Sequence, residues 1–489
     1  MKQKRAFPAD PIGRYRELLS EKEAALLESS LINPAPTAIR VNPLKAEPRQ
    51  LSEEMSHKYQ WDLQPVPHCR DGFTMTSSLI PPGHTLEGRL GYFYIQDAAS
   101  MLPVELFEPV ETTEPLILDL TASPGGKTAH LASRFHDRGL ILANDGTSSR
   151  IPALTSTLKN WGAACSAVTN FPGERFGQWF PETFDLVLLD APCSMENLHP
   201  GEKNKRDIKP PERSRLAQRQ VQLLMSALQA CKVGGQVVYS TCTLAPEEDE
   251  GVVDTILRLT GHAVTITPAA QRLGVQAPGL ESAFGQTFSP ETVKSLRLWP
   301  HRLRTSGFFS AHFRKNSSLP GQSRESPTRP YLPSHIIPLG RKDQEFLISH
   351  FAANYGVDLT NLLEGQALTL GLFKQSVYLL PHILENSFAG LPVNSSGLRL
   401  GDYAESGFEP SLEWTTRYGK LITGNRYNLS PDNFLRWSRG EDVPYENAVE
   451  PARGTILVMI SPEGYVAGTG RMSSRGIKNL LPRHLALKS

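Results

Sequence analysis

The chain of 489 residues has no apolar run of 18 residues, the length that a membrane-spanning helix needs. Its five cysteines have no regular spacing and include no CxxC pair. That excludes a zinc-finger arrangement and a disulfide framework, no metal is expected, and free thiols suit a reducing compartment. The start, Met1-Lys-Gln-Lys-Arg5, is basic, but no apolar signal core follows it, so a cytoplasmic protein is expected. Net charge is also nearly absent. With 51 Lys and Arg against 50 Asp and Glu, the sum says nothing for or against nucleic acid, and only the distribution of charge is informative. Apolar residues at 39% and charged residues at 21% fit a globular protein, and the length implies two or three domains. No internal repeat is present.

Residues 13–31 place Tyr15, Leu18, Leu19, Leu26, Leu27 and Leu31 among charges, which predicts an amphipathic helix. Pro36 to Pro43 reads as a short strand ended by proline, and 44–95 as a small α+β module. The aromatic stretch Gly91 to Ser100 leads into a helix over 98–106. From about residue 115, strands and helices alternate, the pattern of an α/β domain with a parallel sheet. Leu116 to Leu120 is its first strand and Leu140 to Asp145 its second, with a glycine turn and helix between them. Helices follow at 148–161 and 214–231, the latter with Val221, Leu224, Met225 and Leu228 as core. Pro246 to Glu250 should open another, its acids facing the positive helix end. Residues 316–333 are rich in Ser, Pro, Gly and Arg and read as a linker. Short strands at 368–373, 377–380 and 455–460 predict a mixed or mostly β module beyond it. The expected domains are therefore 1–95, 96–315 and 334–489.

Chemistry concentrates at strand ends. In an open parallel sheet, ligands bind just beyond the carboxyl ends of the strands. Asp190-Ala-Pro-Cys193-Ser194 follows the apolar run Phe184 to Leu189, and Ser240-Thr-Cys242-Thr243 follows Gln236 to Tyr239. Two cysteines at two such ends, with an aspartate three residues before one of them, suggest a shared crevice. Pro124-Gly125-Gly126-Lys127-Thr128 is not a phosphate-binding P-loop, because Thr121 stands where that motif needs glycine. The turn Thr121 to Lys127, with Asp145 about 20 residues on, instead suits an adenosine-type cofactor whose ribose the acid receives. Adenosine, a thiolate and a second cysteine point to covalent chemistry on an unreactive carbon. Carbon 5 of cytosine is such a case, since it turns nucleophilic only after a thiolate adds to carbon 6. An acid beside ring nitrogen 3 would favour that addition.

The chain resembles the NOL1/NOP2/Sun family of S-adenosylmethionine-dependent RNA cytosine-carbon-5 methyltransferases. The resemblance rests on Ile39 to Asn42, Tyr94 to Ser100, Asp119 to Thr128, Asp190 to Ser194, Tyr239 to Thr243, Arg297 to Pro300 and Gly307 to Phe309. The order of parts, with Gly468 to Gly470 and Lys478 to Pro482 near the end, is similar to the bacterial 16S ribosomal RNA methyltransferase F type. It implies a Rossmann-like catalytic domain with a small N-terminal α+β module and a C-terminal PUA-like module, both RNA-binding. It further implies Cys242 as nucleophile, Cys193 in release of the methylated base, and Asp190 holding the ring and bordering the cofactor. S-adenosylmethionine would lie on Thr121, Ala122, Ser123, Pro124, Gly125, Gly126 and Lys127, with its ribose at Asp145. Spacing alone does not order the two cysteines.

Three positions depart from the family pattern. Pro172 stands about where the family has an acid near the adenine, Met195 replaces the glycine after Pro-Cys-Ser, and Thr121-Ala122-Ser123 is a milder change. A non-catalytic RNA-binding assembly factor, a transfer RNA methyltransferase and a DNA cytosine methyltransferase using Cys193 are the competing classes. Three basic clusters favour RNA: Lys203, Lys205, Arg206, Lys209, Arg213, Arg215 and Arg219; the stretch Arg297 to Lys315; and Arg471, Arg475, Lys478, Arg483 and Lys488. The expected partner is ribosomal RNA or the small ribosomal subunit.

Overall fold

The structure is a computed structural model that describes residues 12–32, 35–196, 198, 208–319, 336–388, 391–405 and 407–487. Met1 to Arg5, Lys203, Lys205, Arg206, Lys488 and most of the linker stretch lie outside the described residues. No described helix is long and apolar enough to cross a membrane.

The expected helix over 13–31 is two pieces, a 3-10 turn at Gly13–Leu18 and α1 at Glu21–Ile32. Leu19 is extended and ends the first piece, so Tyr15 and Leu27 reach one buried cluster from different directions. β1 (Thr37–Val41), α2 (Pro48–Tyr59), β2 (Asp62–Val66), β3 (Cys69–Ser77) and β4 (Phe93–Ile95) follow. The four strands form an antiparallel sheet in the order β2-β3-β1-β4. α3 (Ala98–Glu105), capped by Asp97, leads out of this sheet.

The central sheet is built from β5 (Leu116–Asp119), α4 (Gly126–Arg134), β6 (Leu140–Asn144), α5 (Ile151–Trp161), β7 (Ser166–Thr169), β8 (Phe184–Asp190), α6 (Pro210–Ala230) and β9 (Cys231–Thr241). Strands β7-β6-β5-β8-β9 run parallel in that spatial order. Their apolar runs are continuous because both faces are covered, as parallel sheets require. The order reverses between β5 and β8, which opens a crevice at their carboxyl ends. α7 (Glu250–Thr260), β10 (Val264–Ile266), β11 (Leu296–Leu298) and β12 (Phe308–Lys315) complete this part, with β12 antiparallel to β9. The last part of the chain is mixed. It has a five-stranded and a four-stranded sheet, with helices such as Arg341–Tyr355 and Pro431–Ser438 packed on them.

The end modules do not stand apart. Ile39, Trp61 and Phe73 from the N-terminal sheet share one buried cluster with Tyr427, Trp437 and Met459. Each large apolar side chain fully buried there contributes about 1.5–3 kcal/mol. Ser395–Ser396 pairs with β7 and extends the central sheet. Lys45, buried, donates to the carbonyls of Leu90 and Asn160 and to the Thr416 hydroxyl, joining all three parts at one ammonium. Cys69, Glu105 and His130 make a similar junction between β3, α3 and α4: His130 Nε2 lies 3.0 Å from Glu105 and 3.8 Å from the Cys69 sulfur.

Candidate active site

Asp190 ends β8 opposite Ser240 of β9, and the chain beyond each strand turns into the crevice. There the sulfurs of Cys193 and Cys242 lie 3.3 Å apart, both half-buried and neither in a disulfide. Hydrogen bonding to Cys242, together with burial, raises the Cys193 thiol well above its ordinary range.

Asp190 is held from three sides. Its Oδ2 accepts from Lys127 Nζ at 2.7 Å and its Oδ1 from the Ser240 hydroxyl at 2.8 Å, while its carbonyl accepts from the Thr121 hydroxyl at 2.8 Å. Burial pulls the Lys127 ammonium down, but the Asp190 carboxylate outweighs it and raises the ammonium above its ordinary value. Lys127 Nζ also donates to Ser100 Oγ at 2.9 Å and lies 5.3 Å from the centre of the Phe308 ring. This aims a fixed carboxylate and a fixed cation into the crevice beside the sulfurs.

The turn Thr121 to Lys127 has the shape expected of it. Gly125 has φ +104°, a conformation open to glycine, and caps α4. A Cβ on Gly126 would come within 2.7 Å of the Tyr94 ring, so the backbone there can lie against that ring only as glycine. The Ala122 amide donates to the Asn144 carbonyl at 2.7 Å, while the Ser123 hydroxyl donates to the Arg150 carbonyl. Asp145 lies just beyond β6, accepting from the amides of Ser123 at 3.2 Å and Thr147 at 2.9 Å, with Arg150 at 3.3 Å. Asp119, buried beneath the turn, takes the Thr128 hydroxyl on Oδ2. Its Oδ1 is without a partner among the described residues. A glycine cradle over an unmet carboxylate oxygen, with a second carboxylate at the next strand end, fits a cofactor carrying positive charge and a ribose.

At two of the departures the structure supplies detail. Met195, two residues after Cys193, has φ +60° and is 56% exposed, so a side chain occupies a left-handed position suited to glycine. Pro172 follows Phe171, whose amide binds Asn144 Oδ1, while Asn170 Nδ2 donates to the Asp145 carbonyl.

Part of the basic-cluster reading is overturned. Arg297 is fully buried, paired with Glu250 and, at 3.1 Å, Asp249. Asp249 and Glu250 stand at the start of α7 as expected, and both are buried with Arg297, because an uncompensated guanidinium inside the fold would be costly. Lys315 is likewise buried, donating to the Cys231 carbonyl, and Arg213 makes two bonds of 2.7 Å to Glu196. Lys209, Arg215, Arg304, Arg475, Lys478 and Arg483 are exposed. Sequence reasoning missed Ser100, Ser240, Arg150 and Glu248 as parts of the site. Ser100 closed a motif already singled out. Ser240 likewise opens a motif already quoted, and Arg150 lies close in the chain to its partner Asp145, whereas Glu248 carries no local signal because Ser194 and Gln220 lie far along the chain.

Residues 104–314 match the family model described as 16S rRNA methyltransferase RsmB/F, and residues 7–98 match the N-terminal domain of 16S rRNA methyltransferase RsmF. The ribosomal RNA small subunit methyltransferase F of Aeromonas salmonicida (strain A449) is 33% identical over 463 residues, covering 94% of this chain and 92% of that one. The protein of the same name from Aeromonas hydrophila subsp. hydrophila is 33% identical over 462 residues, with the same coverage. Among solved structures, a methyltransferase homolog protein from Pyrococcus horikoshii aligns with a TM-score of 0.54 at 32% identity, covering 62% of this chain and 93% of that one.

Proposed function

The chain belongs to the RsmB/F family of 16S rRNA methyltransferases, and from that premise we infer that it methylates carbon 5 of a cytosine in small-subunit ribosomal RNA through a covalent bond from Cys242 to the base. S-adenosylmethionine supplies the methyl group. The residues that would hold it are the turn Thr121, Ala122, Ser123, Pro124, Gly125, Gly126 and Lys127, with Asp145 at its ribose and Asp190 at its border.

The observation that carries this reading is the pair of sulfurs 3.3 Å apart beside a carboxylate fixed by Lys127 and Ser240. Cytosine carbon 5 is a poor nucleophile within an aromatic ring. Addition of the Cys242 sulfur at carbon 6 breaks the aromaticity and delivers an electron pair toward carbon 5. Charge developing on the ring is met at nitrogen 3 by the proton that Cys242 gives up on attack, passed through water, and the N–H so formed donates to the Asp190 carboxylate. Cys193 then removes the proton left on the methylated carbon 5 so that the base can depart. The target base must leave its stack to reach this crevice.

Other features support an RNA partner. A cleft of about 710 Å³ opens where the three parts of the chain meet, lined by Arg89, Tyr94, Lys159, Arg399, Glu413 and His484 among others. Tyr94, which packs on Gly126, links that cleft to the cofactor turn. A single strand flanking the target would find cations and an aromatic face there.

Bisulfite mapping of small-subunit RNA from cells with and without the protein tests the proposal. One cytosine signal is expected to disappear with the protein. An unchanged map would favour an RNA-binding assembly factor, a reading that Pro172 and Met195 motivate and that loss of cofactor binding in calorimetry would support.

A further inference from the structure

Glu248, Asp249 and Glu250 are consecutive, fully buried, and turned toward separate targets. Glu248 Oε2 accepts from the Ser194 amide at 3.0 Å and from Gln220 Nε2 at 2.8 Å. The same Gln220 Nε2 donates to the Pro192 carbonyl at 2.9 Å. The residues on both sides of Cys193 are thus tied, through their main chain, to Glu248 or to its amide partner. Asp249 Oδ1 accepts from the hydroxyl of Thr241, the residue before Cys242, at 2.6 Å. Arg297, which holds Asp249 and Glu250, also donates to the carbonyl of Leu244, two residues after Cys242, at 3.0 Å.

A role in stability alone does not call for this chemistry. Glu248 Oε1 and Gln220 Oε1 are both buried and lack a hydrogen-bond partner among the described residues. Folded proteins rarely leave such oxygens unmet except where the site has another task. Burial also raises the Glu248 carboxyl, and this group is among those that raise the Cys193 thiol.

We propose that Glu248 and Asp249 are positioning residues, each setting one cysteine: Glu248 holds Cys193 for release, and Asp249 holds Cys242 for attack. The proposal rests on the covalent mechanism given above. In release, Cys193, which gives its own proton to water once Cys242 is bonded to the base and no longer pairs with it, takes the proton from carbon 5 as a thiolate. The electron pair of that C–H bond forms the double bond between carbons 5 and 6, and the pair of the C6–S bond returns to Cys242. Displacing the Cys193 loop leaves addition intact and stalls this last step.

The test uses the full chain with a small-subunit RNA transcript and methyl-labelled S-adenosylmethionine, following methyl incorporation and the SDS-resistant protein–RNA adduct. Glu248→Ala is expected to accumulate adduct, with decay slowed about 10- to 100-fold and formation unchanged. Glu248→Gln, which keeps an acceptor for the Ser194 amide, should recover most turnover. Asp249→Asn should slow formation without accumulation. Gln220→Ala leaves all three acids in place and should give the release defect in milder form, even where Glu248→Ala does not fold. Cys193→Ala is the reference. Trapping by Cys193→Ala but by neither Glu248→Ala nor Gln220→Ala overturns the positioning role, as does an equal loss of formation and decay in both acid variants. No trapping by Cys193→Ala refutes the covalent mechanism itself.

Discussion

Cys193 and Cys242 approach within 3.3 Å from the ends of two neighbouring parallel strands, although 49 residues separate them in the chain. Two thiols that close share a hydrogen bond, and they cannot both ionise freely.

Their proposed roles predict different variants. Cys242→Ala should reduce methyl incorporation to background and form no adduct. Cys193→Ala should still transfer one methyl group per active site and then remain joined to RNA. Labelled-methyl transfer and a denaturing gel read both outcomes. Normal turnover by Cys242→Ala would remove it as the nucleophile.

Asp119 predicts a pH dependence. Burial pushes its carboxyl up to about 7 from an ordinary 3.8. Between those values the folded chain keeps a proton that the unfolded chain has lost, so this group's contribution to stability falls as pH rises through that window. Asp119→Asn does not titrate. Its Tm relative to the parent should therefore improve from pH 4 to pH 8, and a difference that stays flat would refute the assignment.

Met195→Gly should stabilise the protein. A side chain at φ +60° costs about 1–2 kcal/mol, and the extra freedom of glycine in the unfolded chain returns about 0.5–1 kcal/mol. A net gain of about 0.5–1 kcal/mol in urea unfolding is expected. A loss would mean that the exposed Met195 side chain makes a contact the backbone strain serves.

Arg297→Leu separates a structural cation from an RNA-binding one. Removing it leaves Asp249 and Glu250 as buried, unpaired acids, which should cost about 3–5 kcal/mol in urea unfolding. The slope of RNA affinity against salt should match the parent, because no phosphate contact is lost. A shallower slope with unchanged stability would return Arg297 to the RNA surface.

Much of the catalytic fold was legible in local pattern. Apolar runs such as Leu116 to Asp119 and Phe184 to Leu189 read as strands because both faces of a parallel sheet are buried. The turn at Gly125 and Gly126 read as a cofactor cradle because a left-handed φ and a close approach both demand glycine. Helix placement erred where a tertiary contact overrode periodicity. The 13–31 pattern is interrupted at Leu19, where the chain turns so that both pieces meet Trp299.

Charge was the least legible property. Arg297 and Lys315 look like surface cations in sequence, and Glu248 to Glu250, which do stand at a helix start, look exposed. Their partners lie far away along the chain, so only the fold could show them to be buried and paired.

By itself the sequence determined which residues are candidates for the chemistry: two cysteines, Asp190, Lys127 and a glycine turn, each beyond the end of an apolar run. The ends of parallel strands must open on one edge of a sheet, so those residues were bound to share a crevice. Only the tertiary structure decided that the two sulfurs meet at 3.3 Å. A hydrogen bond between two sulfurs depends on the ångström-scale placement of separate strands, and that placement is set by buried acids and Arg297, whose contacts no local pattern records.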